Sequence, residues 1–328
     1  MTKQKIVNLM PPIPGFAISE RLAIAVDMSS IELVELGKKA ASEEEISRLC
    51  KDATIIIGDY SAENYISRNV LEAAKGVRHV QFISKGFDGV DLKAAAEMGI
   101  TVSNGFGDGV NVAEHTMMMI LSLLRQTILA HTSMKNKEWR QWEVIRATRP
   151  LSGMTLGILG LGTIGKEVAK RARPFDVRIL YHKRSQLSKE EEESLGVEYS
   201  SFDRLLQESD ILSLHLPLVE ETRGLIGETE IALMKKGAIL INTARGALVD
   251  EEALAEALED GRLGGAAVDY EPFSHDSPLR RLNNVLLMPH CATGGSTPES
   301  DKVSDLKFAQ NFVRVLTAEK PLNIVNGL

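Results

Sequence analysis

Residues 155–184, TLGILGLGTIGKEVAKRARPFDVRILYHKR, constrain the fold more than any other stretch of this chain. An apolar run, Leu156 to Leu159, reads as a short buried strand. Gly160, Gly162 and Gly165 follow in G-x-G-x-x-G spacing, and Ile164, Val168 and Ala172 mark one face of a helix that Pro174 ends. A second apolar run, Val177 to Tyr181, completes a β-α-β unit of about thirty residues. The glycines serve three mechanical ends, namely a tight turn, close backbone approach to a pyrophosphate, and packing of the helix on its strand. The unpaired N–H groups at the helix start, around Thr163 and Ile164, face the phosphates at the positive end of the helix dipole. The unit therefore predicts a dinucleotide-binding site.

On both sides of it, strand-like and helix-like segments alternate, which predicts parallel sheets covered on both faces. Lys5 to Met10, Ala53 to Gly58, Val80 to Ile83 and Ile100 to Ser103 read as strands. Glu43 to Cys50, Asn69 to Ala74 and Leu92 to Met98 read as helices, the first with Ser42 as N-cap and Glu45 at capping-box spacing. A single long helix, rich in Met and Leu, is expected from Val112 to about Lys137, with His115 packed in its first turns. Trp139 and Trp142 follow on a basic stretch suited to covering a cleft or a second subunit. Beyond the glycine unit, Ile211–Leu216, Ala238–Asn242, Ala266–Asp269 and Val285–Met288 read as strands, Glu251–Leu258 and Asp301–Leu316 as helices. The last helix leads to a tail free to return to the first domain.

With 328 residues and a net charge of −7, the chain has room for two cores and is a poor candidate for binding nucleic acid. No signal-peptide pattern opens it and no apolar run is long enough to span a bilayer. Cys50 and Cys291 are its two cysteines, too few for a disulfide framework, so a reducing cytoplasm is expected. No zinc-type spacing of Cys and His is present, and no metal site is expected.

Three charged groups, Arg245, Glu271 and His290, stand just after strands of the nucleotide-binding sheet, where parallel sheets bind ligands. A guanidinium fork matches a carboxylate bidentately, and an imidazole titrating near neutrality exchanges the proton that accompanies hydride transfer between alcohol and ketone. A carboxylate at the second ring nitrogen would orient the imidazole and raise its pKa. In the first domain, Lys85 and Gly86 lie in a glycine-bearing turn, Ser84 to Asp91, at a strand's C-terminal end. The strand Val177 to Tyr181 ends in His182-Lys183-Arg184-Ser185, with no acid to receive the ribose hydroxyls of NAD. Lys183, Arg184 and Ser185 suit a 2′-phosphate, which predicts a preference for NADP, with NAD also possible.

The stretches KGFDGVD, NVAEHT, GILGLGTIG, LHLPLVEETRGLIG, INTARGALVDEEAL, GGAAVD and NVLLMPH together resemble the D-isomer-specific 2-hydroxyacid dehydrogenases over nearly the whole chain. That resemblance implies two doubly wound α/β domains: a flavodoxin-like substrate domain from residues 1–104 and 296–328, and a Rossmann domain from 105–295. It implies a homodimer and a small anionic 2-keto acid or D-2-hydroxy acid as substrate. Arg245 then binds the substrate carboxylate, helped by Lys85 and Gly86; His290 is the acid/base and Glu271 its support. Leu216, Pro217, Thr222, Thr243, Ala244 and Asp269 join the glycine loop in holding the cofactor. The chain departs from the family in placing Glu271 two residues after Asp269 rather than five, which leaves Asp276 as an alternative support. It also has Ser84 where the carboxylate loop commonly begins with glycine. Two further readings follow from relatives: phosphite oxidation, because phosphite dehydrogenases share the Lys-Gly-Phe-Asp loop of residues 85–88, and a nucleotide-sensing corepressor role.

Overall fold

A computed structural model describes residues 3–270, 276–295 and 297–328. The chain forms two units, residues 1–107 with 296–328 and residues 108–295. In the first, strands β1 (Gln4–Asn8), β2 (Ile31–Glu35), β3 (Ile55–Ile57), β4 (His79–Gln81) and β5 (Thr101–Ser103) form a parallel sheet. Their order, β2-β1-β3-β4-β5, is the flavodoxin-like doubly wound order. Successive strand residues feed opposite cores: Val7, Ile56 and Val80 pack on one face, Ile6, Ile55 and Ile57 on the other. The second face is completed by Phe308, Phe312 and Val315 of the helix Pro298–Leu316. The expected Ser42 cap forms, its hydroxyl accepting from Glu45 N, and Asp91 caps the helix Leu92–Glu97 in the same way.

A buried polar network ties the C-terminal helix to β4. Asn311 donates to Gln81 Oε1 at 2.7 Å, and the imidazole of His79 lies 2.8 Å from Thr101 Oγ1 and 3.2 Å from the same Gln81 oxygen. Burial pushes His79 down to about 4, because the imidazolium would have to leave water. Below pH ~6.5 the unfolded chain takes up a proton that the folded chain refuses. Stability should therefore fall as pH drops from about 6.5 toward about 4, by up to ~3 kcal/mol from this residue. Denaturant titrations across that window should show a shallower pH slope in His79→Gln; parallel slopes would refute the account.

In the second unit, β6 (Thr155–Leu159), β7 (Arg178–His182), β8 (Glu198–Tyr199), β9 (Ile211–Leu214), β10 (Ala238–Asn242), β11 (Leu263–Asp269) and β12 (Val285–Met288) form a seven-stranded parallel sheet. Its order, β8-β7-β6-β9-β10-β11-β12, reverses direction at β6/β9, the Rossmann switch point. β6, β9 and β10 are buried along their whole length, as strands covered on both faces must be.

The structure corrects one expected element. The long helix is two, Val110–Leu124 and Thr127–Lys135, broken at Gln126, whose φ is +54°. The break is held by partners: Gln126 Nε2 donates to Leu123 O, and Arg149 N to Leu124 O. Carbonyls that a continuous helix would use are thereby satisfied.

Candidate active site

The glycine turn leaves β6 as its spacing requires. Gly160 has φ +97°, and a Cβ there would lie 2.5 Å from His215 O; a Cβ on Gly165 would meet Gly160 O at 2.4 Å. The helix Thr163–Ala172 thus rests directly on the turn. At Gly162, its N-cap, nothing beyond the adjoining chain lies within 4 Å of where a Cβ would stand, so the helix start offers open room for a phosphate. Leu216 lines this turn, its Cδ2 3.0 Å from the same Gly160 position. The Thr222 hydroxyl staples its own loop, donating to Pro217 O at 2.8 Å and accepting from Val219 N at 2.9 Å. Beyond β7, Lys183 is partly buried, and Arg184 and Ser185 are exposed. Glu191 lies near them, held below the usual carboxylate range chiefly by its hydrogen bond from Lys166, with a smaller contribution from Lys183.

Three neighbouring strands place the charged groups. After β10, Asn242 fixes the turn by accepting from Ala244 N at 3.0 Å and donating to Arg245 O at 2.8 Å. Thr243 is buried, its hydroxyl 3.1 Å from that of Thr116. Arg245 is partly buried and donates to Ala244 O. Gly246 sits on the buried ring of Tyr270, where a Cβ would come within 2.7 Å of Cε2. The residue following β11 therefore supports the turn that carries Arg245.

β11 ends at Asp269, fully buried, and its two carboxylate oxygens accept Cys291 N and Ala292 N, each at 2.8 Å. Those N–H groups directly follow His290, which is partly buried and has φ +53°. Asp269 thus clamps the turn that presents His290, a role the sequence motif alone did not show. Burial and then the Asp269 charge push the Cys291 thiol above its ordinary value. Glu271 lies outside the described residues. Asp276, the alternative support, is exposed. In the first unit, Lys85 and Gly86 are partly buried, and their turn is pinned by Ser84 Oγ to Gly86 O and Asn104 Nδ2 to Lys85 O.

The arrangement places a phosphate cradle, a guanidinium and an imidazole along the C-terminal edge of one Rossmann sheet. Residues 117–292 match the family described as D-isomer specific 2-hydroxyacid dehydrogenase, NAD binding domain. The chain is 42% identical over 272 residues to a glyoxylate reductase of Aeropyrum pernix, spanning 80% of each. The crystal structure of a glyoxylate reductase from Paecilomyes thermophila superimposes with a TM-score of 0.84 at 33% identity, covering 99% of both chains. That of the NAD-dependent formate dehydrogenase from Staphylococcus aureus in complex with NAD gives 0.82 at 30% identity, covering 98% of this chain and 99% of that one. The chain belongs to the D-isomer-specific 2-hydroxyacid dehydrogenases, oxidoreductases that pass a hydride between a nicotinamide cofactor and a 2-keto acid/2-hydroxy acid pair.

Proposed function

We propose that this enzyme reduces small 2-keto acids of the glyoxylate class with NADPH. The observation that carries the reading is the placement of Arg245 and His290 just past β10 and β12, on either side of the end of β11. The bound cofactor supplies the hydride. Arg245 grips the substrate carboxylate and polarises the adjacent carbonyl, and His290 delivers the proton to the carbonyl oxygen as C2 is reduced. Glu271 is assigned the support of His290, and residues 108–295 the dinucleotide-binding role. On the other unit, the turn carrying Lys85 and Gly86 is the substrate loop, its ammonium favouring an anion. Relatives named glyoxylate reductase favour a two-carbon substrate. Initial rates on glyoxylate, longer 2-keto acids and phosphite test this; turnover of phosphite alone would replace the reading.

The NADPH preference rests on Lys183, Arg184 and Ser185 directly after β7, a stretch that carries no acid of its own. A carboxylate there would repel a 2′-phosphate, whereas each charge-assisted hydrogen bond is worth ~1.5–3 kcal/mol. Replacing Lys183 by Asp and Arg184 by Ala together should lower the NADPH/NADH ratio of kcat/KM by roughly 10–100-fold. A wild-type preference for NADH, or an unmoved ratio in the double variant, would overturn the assignment.

A homodimer is the assembly we assign. Ile128, Met134, Trp139, Trp142 and Ile145, all within residues 128–145, are 49–76% exposed, a concentration of large apolar side chains typical of a protein interface. Sedimentation should give a dimer that Trp139→Glu/Trp142→Glu dissociates, and a monomeric wild type would refute it. The setting is a reducing cytoplasm, in which both cysteines stay free as they are here.

A further inference from the structure

Three side chains from distant parts of the second unit converge beside the His290 turn: His115 of the helix Val110–Leu124, Asp269 at the end of β11, and Cys291. Each offers one ligand atom, and the three atoms all lie within 4.8 Å of one another. His115 Nε2 is shut off from solvent and has no hydrogen-bond partner among the described residues. Asp269 Oδ1 is 3.9 Å from it, too far to bond. A buried nitrogen left without a partner is costly, and such groups call for a ligand or another explanation. Asp269 commits one lone pair of each oxygen to the backbone clamp and retains others.

We propose that His115, Asp269 and Cys291 form a binding site for a thiophilic divalent cation of the Zn²⁺ class, and that its occupation inhibits the enzyme. The nitrogen, oxygen and sulfur donor set is that of borderline-soft metals, and three protein ligands leave the fourth tetrahedral position for water. On binding, the Cys291 S–H gives its proton to solvent and a sulfur–metal bond forms. The carboxylate and thiolate then balance the dication, so the site, with Asp269 buried at its inner end, becomes neutral overall, which a monovalent or trivalent ion would not achieve. Zinc–ligand bonds of about 2.0–2.3 Å require the three atoms to draw together slightly. The Cys291 side chain is exposed on its turn, so its thiol can rotate toward the other two while its backbone N–H stays on Asp269. A metal bonded to Asp269 competes for the carboxylate oxygens that hold the Cys291 and Ala292 N–H groups, loosening the turn that presents His290, which is why occupation stops turnover.

Titrating the purified protein with Co²⁺ should give one equivalent bound, with a thiolate-to-metal charge-transfer band that Zn²⁺ abolishes by displacement. The only other thiol, Cys50, is buried and pushed up to about 12, so Cys50→Ser should keep the band. Cys291→Ser should lose it. His115→Ala should weaken Co²⁺ by more than the about 10–100-fold that loss of a merely supporting residue costs. Zn²⁺ should inhibit wild type and Cys50→Ser at stoichiometric concentration and spare Cys291→Ser. No Co²⁺ band, a band that survives Cys291→Ser, or unchanged affinity in His115→Ala would overturn the site. Binding without inhibition would overturn the inhibitory role. The absorbance readout needs no turnover, so an error in the substrate assignment leaves this test intact.

Discussion

In His290→Ala, kcat is expected to fall by roughly 10²–10⁴, while the dissociation constant of NADPH moves little. With His290 assigned as the acid, its removal leaves the proton that accompanies hydride transfer to water, a weak acid at neutral pH. The nucleotide, by contrast, is assigned to the Gly160 turn and the start of the helix Thr163–Ala172, more than a hundred residues from position 290 in the chain. The loss should shrink toward low pH if solvent acid partly replaces the imidazole. Asp269→Ala provides the companion measurement, because it removes both acceptors of the turn but leaves the imidazole in place. It should lower kcat and broaden the pH profile without abolishing the titration. Near wild-type kcat in His290→Ala would end the acid/base assignment.

Arg245→Ala should lower kcat/KM for the best 2-keto acid by roughly 30- to 4,000-fold, the equivalent of the ~2–5 kcal/mol typical when one partner of a hydrogen-bonded charge pair is removed. Arg245→Lys should recover only part of this, since an ammonium keeps the charge but not the planar fork. The turn itself should survive, because Asn242, Gly246 and Tyr270 hold it through the backbone and ring rather than through the guanidinium. A KM that stays constant while kcat alone collapses would show that Arg245 acts on the reacting carbonyl and not on the carboxylate.

The sequence was most readable where one residue type alone satisfies a local constraint. Gly160 must adopt a positive φ against His215 O, and Gly165 must accept a backbone oxygen where a side chain would stand. Ser42 satisfies the N–H of Glu45 three residues ahead, a purely local relation. It was least readable where distant partners decide. The break at Gln126 has neither Gly nor Pro to announce it and depends on Arg149. β2, an edge strand with Ile31 its one buried residue, carries too weak a pattern to stand out before its pairing with β1 is known. The positions of Arg245 and His290 at strand ends were legible because each follows an apolar strand. The convergence of His115 with Asp269 and Cys291 could not, because nothing in the spacing of those residues encodes that they meet.

The discontinuity of the first unit sets an order on biogenesis. Its second core face needs Phe308, Phe312 and Val315, and Arg21 of the helix Ile18–Leu22 needs its ion-pair partner Asp305. At roughly 5–20 residues per second on the ribosome, the nascent N-terminal sheet waits on the order of ten seconds or more while residues 108–295 are made. Those intervening residues are contiguous and can close their own core first. The earliest segment to leave the ribosome is thus the last to be finished, with Ile6, Ile55 and Ile57 uncovered in the interval, a natural point of engagement for chaperones.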